Sequence, residues 1–293
     1  MRAPFPYFGG KRSIADDVWL RLGRPKHYIE PFCGSAAMLL AAPEPASLEV
    51  VNDANGFIAN FWRAVKYQPA AVAEWADYPV SHIDLGARHR WLMAQREALG
   101  AYLHDPNWPG DAKVAGWWLW GQCSWIGSGW CEWDGQVPHV SDAGRGVQAL
   151  GQVPHVSNAG MGALLTSSGR TAWRWLHELA DRLERVRVTH GDWHRCLNTH
   201  YGGADTAVFL DPPYDGYENL YAAGSVAAEV AAWVRDHADL RVALCGHVGD
   251  YDLPGWTVQE WSRGRLTYGG AKTTDAECVW YSPACLTPQP SLF

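Results

Sequence analysis

The sequence contains no apolar run approaching the ~18 consecutive residues of a membrane-spanning helix, although 47% of its 293 residues are hydrophobic. Its first residues, Met1 to Pro6, lack the apolar stretch of a secretory signal. The expectation is a soluble cytoplasmic protein. Cysteine is sparse and odd in number: seven residues, widely scattered. A chain of this length needs no disulfide framework, so a reducing compartment is expected. Cys123 and Cys131 are too far apart for a zinc knuckle, and His139 and His155 extend them with irregular spacing, so no metal site is expected. Positive charge is also scarce, with a net charge of −7. That excludes a uniformly basic surface and leaves room only for a local groove. Arg170, Arg174, Arg182, Arg185, Arg187 and Arg195 form one cluster, and Arg263, Arg265 and Lys272 another. They suit either a phosphate-facing groove or solvated helix faces.

Tryptophan, by contrast, is abundant, with 18 residues. Six of them, Trp117, Trp118, Trp120, Trp125, Trp130 and Trp133, fall in one stretch. Most read as packing for a small core, with Trp125 and Trp130 as candidates to contact a base. The same middle region repeats itself: the segment 135–144 (Gly-Gln-Val-Pro-His-Val-Ser-Asp-Ala-Gly) returns at 151–160 with Asn for Asp. Two copies do not make a solenoid; they read as two extended-then-turn units.

On either side the pattern is α/β. Helices are predicted over 13–22, 35–42, 56–66, 171–184 and 225–237. Strands are predicted over 27–30, 47–51, 186–189, 207–210, 240–244 and 277–281. The implied division is 1–77 and 166–283 as two parts of one doubly wound α/β domain, 78–165 as an irregular Trp/Gly-rich insertion, and 284–293 as a tail.

Three segments carry chemistry. Glu30-Pro31-Phe32-Cys33-Gly34-Ser35 joins a strand to a helix through a glycine turn, where open α/β sheets bind ligands. Asp53 follows Gly34 by 19 residues, the place of a ribose-hydroxyl acceptor, though Asn52 or Asp53 could equally cap the next helix. Asp211-Pro212-Pro213-Tyr214 ends a buried strand with a carboxylate, a carbonyl and an aromatic ring. Asp211 and the Pro212 carbonyl can accept from a planar amine while Tyr214 stacks on its ring.

These segments, in this order, resemble the DNA adenine-N6 methyltransferase family of α-type motif order (D12 class), in a form similar to phage and prophage methylases. Tyr7-Phe8-Gly9-Gly10-Lys11 resembles its N-terminal cofactor motif, Gly191-Asp192-Trp193 its Gly-Asp-Phe motif, and Glu277-Cys278-Val279-Trp280-Tyr281 more loosely its closing strand. The resemblance implies a Rossmann-like S-adenosylmethionine-dependent fold whose insertion recognises double-stranded DNA. It implies cofactor contacts from Tyr7, Gly9, Lys11, Glu30, Phe32, Gly34, Asp53, Asp192, Trp193 and Asp211. The catalytic group is then Asp211, Pro212 and Tyr214, acting on a flipped adenine. DNA contacts are expected from Trp125, Trp130, His139, His155 and Arg170. An RNA amine methyltransferase, or a DNA-binding module without activity, are the other readings. Gln289-Pro290-Ser291-Leu292-Phe293 resembles the pentapeptide by which bacterial DNA-processing proteins bind the replication sliding clamp.

Overall fold

The computed structural model describes residues 1–5, 11–78, 81–124, 130–131, 172–197, 202–213, 226–261 and 277–288. In chain order the elements begin with α1 (Ala15–Leu22), β1 (His27–Glu30), α2 (Ala37–Ala41), β2 (Leu48–Asp53) and α3 (Gly56–Tyr67). They continue with α4 (Pro69–Ala76), α5 (His82–Tyr102), α6 (Ala112–Ser124), α7 (Ala172–Leu183) and β3 (Val186–His190). β4 (Thr206–Leu210), α8 (Ala227–Asp236), β5 (Arg241–His247), β6 (Thr257–Trp261) and β7 (Glu277–Tyr281) complete them. The chain divides into two compact units, one of Met1–Gly10 with Asp53–Asp192, the other of Lys11–Asn52 with Trp193–Phe293.

The second unit holds six of the seven strands, in the order β2-β1-β4-β5-β7-β6. β1 pairs in parallel with β2 and β4, and β4 with β5, whereas β7 runs antiparallel to β5 and to β6. The chain leaves β1 for β2 on one side and later returns to β4 on the other. The order therefore reverses between β1 and β4, and the crevice beyond their carboxyl ends is where such a sheet takes a ligand. β4 is buried at all five positions, as a central parallel strand must be. One face carries Ile29, Val208, Val242 and Trp280 against Val230 and Val234 of α8. Ile29 pairs in register with both Val50 and Val208, so three β-branched side chains form one row. The mixed α/β architecture expected from the flanking segments is thus present.

The first unit is helical around aromatic side chains, with β3 as its strand. The Phe5 ring lies 5.2 Å from that of Phe61 and 4.9 Å from that of Trp118, both edge-on. Asn55 caps α3 by accepting from Phe57 N (2.9 Å), and Ser81 caps α5 by accepting from Asp84 N (3.1 Å).

Here the structure corrects the sequence reading. The stretch from 78 onward was expected to be irregular, yet 82–102 and 112–124 are helices. Glycine suggested turns, but in α6 it serves close packing. A Cβ on Gly116 would strike Trp75, and one on Gly121 would strike the Trp130 ring. Bulky rings on neighbouring segments need a bare backbone opposite them, and that outweighs the helix propensity lost with glycine. Residues 132–165, including the repeat, lie outside the described residues. Among the described residues no helix is long and apolar enough to cross a membrane.

Candidate active site

The site in the second unit is built on the strand ends at the reversal. β1 alternates faces, so Tyr28 and Glu30 point the same way. Tyr28 donates its hydroxyl to Glu30 Oε2 (3.0 Å). The same oxygen accepts from the amide of Leu39 in the first turn of α2 (3.0 Å). Ala36 precedes α2 and has no side-chain acceptor, so Glu30 satisfies an amide that a cap residue would otherwise take. Glu30 is 2% exposed. Burial pushes its carboxyl up to about 8, against the pull of the Tyr28 and Leu39 hydrogen bonds, and the nearby charge of Asp211 adds to the rise. Glu30 therefore carries its proton at neutral pH and faces the fold.

The loop between β1 and α2 is held from below. Asn52 donates its side-chain amide to Pro31 O (3.1 Å), and its carbonyl accepts from Cys33 N (2.9 Å). Gly34 and Ala36 both have positive φ, 46° and 50°. Glycine tolerates this; alanine in the left-handed region stores about 1 kcal/mol of strain, of a kind that collects at ligand-binding turns. Phe32 is half-buried, its ring 5.8 Å from that of Trp193. Trp193 is 4% exposed, and its Nε1 is buried without a hydrogen-bond partner among the described residues.

Asp211 leaves the end of β4, followed by buried Pro212 and half-buried Pro213. Its Oδ1 lies 2.9 Å from Lys11 Nζ. Glu277, the first residue of β7, places Oε2 at 3.7 Å from the same ammonium. The Lys11 side chain is 2% exposed, against 21% for Asp211 and 19% for Glu277. Burial alone would lower the Lys11 pKa, but the charge of Asp211, followed by others including Glu277, carries it above its ordinary value. Lys11 is thus a fixed cation under two more exposed carboxylates.

In the first unit, Asp53 Oδ1 accepts from Asn55 N (2.8 Å) and its carbonyl accepts from Gly191 N (3.1 Å). The turn after β3, where Gly191 has φ 109°, is thereby tied to the end of β2. Asp53 is half-buried and Asp192 is exposed. Trp130, considered above as a base-contacting residue, is 1% exposed, with its ring against Gly121 and 5.3 Å from that of His89. It has no open face for a base. Tyr7, Gly9, Trp125, His139, His155, Arg170, Tyr214 and the tail 289–293 lie outside the described residues.

Lys11, Glu30, Phe32, Gly34, Trp193 and Asp211 are thus all parts of the second unit. Sequence reasoning missed three contributors. Asn52 was weighed only as a helix cap, Glu277 only as part of a strand, and Ala36 gives no local sign of its positive φ. The signal for Glu277 was a carboxylate opening a closing strand, meaningful only once β7 is known to run antiparallel.

No curated protein matches the chain. Residues 7–79, which contain Lys11, Glu30, the glycine turn and Asp53, match the model of the D12 class N6 adenine-specific DNA methyltransferase family.

Proposed function

We propose that the protein is an S-adenosylmethionine-dependent methyltransferase acting on N6 of adenine in double-stranded DNA. The Lys11–Asp211 ion pair is the observation that carries this reading. Lys11 lies inside the segment that matches the family, Asp211 opens the Asp-Pro-Pro segment outside it, and they meet at 2.9 Å beside the strand-order reversal.

The residues suit the methyl donor. The left-handed turn at Gly34 exposes backbone, Phe32 and Trp193 offer aromatic faces, and the Trp193 Nε1 is a buried donor with no hydrogen-bond partner among the described residues. When bound, S-adenosylmethionine supplies an electrophilic methyl group on a sulfonium. The protein's own part is placement. Asp211 and the Pro212 carbonyl accept from the target amine and turn its lone pair toward that methyl, and Tyr214 stacks on the base. The base leaves its duplex for this, because a paired amine is turned away. Orientation of this kind is worth ~7–11 kcal/mol. Gly34 and Lys11 hold the cofactor loop and the catalytic carboxylate, with Tyr7 and Gly9 completing the N-terminal motif. Asp53 takes the ribose hydroxyls and Asp192 the cofactor adenine. Glu30 acts through the loop it anchors. DNA contacts fall to the insertion, through Trp125, His139, His155 and Arg170.

The test is transfer of a labelled methyl group to duplex DNA, with structured RNA as the competing substrate. Asp211→Ala should lower transfer at least ~100-fold, the scale of losing one transition-state acceptor. Unchanged transfer, or preference for RNA, would refute the assignment.

The tail belongs to the same proposal. Leu292 and Phe293 can fill an apolar pocket on a sliding clamp, and Pro290 limits the entropy lost on binding. Deleting residues 289–293 should abolish binding to an immobilised bacterial clamp; equal binding by the truncated chain would remove the tail from the account.

A further inference from the structure

We propose that the segment 282–288 is a tether fixed to the edge of the sheet opposite the crevice, so that a protein partner gripping residues 289–293 leaves the crevice open. It rests on reading the tail as a partner ligand, with Leu292 and Phe293 seated in an apolar pocket of that partner.

The direction is set by β7. That strand is antiparallel to β5, with Glu277 opposite His247 and Tyr281 opposite Ala243. It therefore begins at the crevice edge and delivers the chain to the other edge, where the parallel strands start. Between the two ends of β5, Arg241 and His247, the rise is ~20 Å.

At that lower edge the chain is held. Ser282 is 3% exposed. Its amide donates to Val242 O (3.0 Å), and its hydroxyl donates to Leu240 O (2.6 Å) and accepts from Val242 N (2.9 Å). Four residues on, the amide of Leu286 donates to Arg21 O (2.8 Å), while Arg241 Nη1 donates to Leu22 O (2.9 Å). Arg21 and Leu22 are the last residues of α1, whose final carbonyls have no acceptor role left inside the helix. The segment after β7 thus helps to cap α1. Gly23 makes room for it: its φ is 67°, and a Cβ there would lie 2.5 Å from Leu286 Cδ1. All these groups belong to the second unit and lie among the described residues.

Past the Leu286 amide the chain is at the surface, with Leu286 and Thr287 exposed and Pro288 half-buried. Pro288 and Pro290 restrict the backbone that follows. A partner that grips the tail is therefore held from the lower edge, with the sheet between it and the crevice. Such a tether keeps the crevice at high local concentration near whatever the partner encloses, and needs no further contact between the two proteins.

Spin labels on p-acetylphenylalanine introduced at positions 248 and 293 of the full chain read the geometry directly. Val248 is 54% exposed and directly follows β5 at the crevice edge. The mean separation should exceed ~20 Å, the rise of β5, and a shorter mean would put the tail beside the crevice and overturn the proposal. Gly23→Val should displace Leu286 and broaden the distance distribution; an unchanged distribution would show that Leu286 is not an anchor. Should that variant not fold, hydrogen exchange of the wild type answers. The Leu286 amide should exchange at least ~100-fold more slowly than in an unstructured peptide, and exchange at the peptide rate overturns the anchor. Held on an immobilised bacterial sliding clamp, the protein should bind S-adenosylmethionine within ~2-fold of its free affinity, and a loss of ~10-fold or more overturns the proposal. Absence of capture by the clamp refutes the tail reading and the partner with it, and a free protein that does not bind S-adenosylmethionine refutes the methyl-donor reading. Label distance and Leu286 exchange decide the tether in either case.

Discussion

Lys11 and Arg88 are both buried cations, 3% and 6% exposed, yet they are stabilised by opposite means. Lys11 has two carboxylates and its pKa rises. Arg88, on α5, lies 4.3 Å from the centre of the Tyr78 ring, 4.2 Å from Trp120 and 5.0 Å from Trp117. Among the described residues no acid lies within ion-pair distance of it, and none hydrogen-bonds its buried Nη1. Burial accordingly lowers its pKa, with Asp84 and Tyr78 compensating only in part. Lys113 repeats the arrangement over Trp91 (4.4 Å) and Trp117 (4.5 Å). Aromatic faces attract a cation by ~0.5–2 kcal/mol each, far less than full desolvation costs. One region therefore fixes a charge with acids. The other fills space among aromatic rings with a long, flat side chain whose charge is incidental to the packing.

If that contrast is right, the same substitution should have different effects at the two positions. Lys11→Met removes the ammonium that Asp211 and Glu277 share. It should lower the unfolding free energy by ~3–5 kcal/mol at neutral pH, the scale of a broken buried ion pair. Urea denaturation at pH 7 would read the loss, with Lys11→Arg, which keeps the charge, as the comparison. An equal loss in Lys11→Arg would mean that shape, not charge, is what Lys11 contributes.

Glu30 sharpens the comparison from the side of the acids, with a smaller effect. Its folded pKa, about 8, stands above its ordinary 4.5. The folded state keeps a proton that the unfolded chain releases. Its contribution is complete below about pH 4.5, declines as pH rises through that window, and is lost above about 8. Glu30→Gln can still accept from Tyr28 and Leu39 but cannot ionise. It should match the wild type near pH 4.5 and exceed it in stability near pH 9. Parallel pH profiles of the two proteins would show that Glu30 is not buried neutral.

The smallest effect is expected at Arg88. Arg88→Met keeps a long side chain among the same rings and removes an unpaired buried charge, so the urea midpoint should stay within ~1 kcal/mol of wild type or rise. A loss of more than ~2 kcal/mol would show that the rings hold the guanidinium as firmly as acids hold Lys11.

How much of this was legible beforehand differs between the two regions for the same reason. β1 and β7 fall at the residues predicted, and β4 within one residue, because buried strands with β-branched and aromatic residues announce themselves locally. β6 gave no such signal. As an edge strand it is largely exposed, so no apolar run marks it. α5 and α6 were hidden by their glycines and tryptophans, whose meaning depends on which ring meets which backbone.

The sequence by itself determined the alternation of strands and helices around the glycine turn, the Asp-Pro-Pro segment at a strand end, and the chemical kind of the motifs. These depend on neighbours within a few residues. Only the tertiary structure decided that Lys11 meets Asp211 and Glu277, that Glu30 turns inward to hold α2, and that Trp130 is closed to a base. Charge and burial act through space, and the groups that set them are distant in the chain. They are brought together by strand order, and by the antiparallel β7, which returns Glu277 to the edge where Asp211 follows β4.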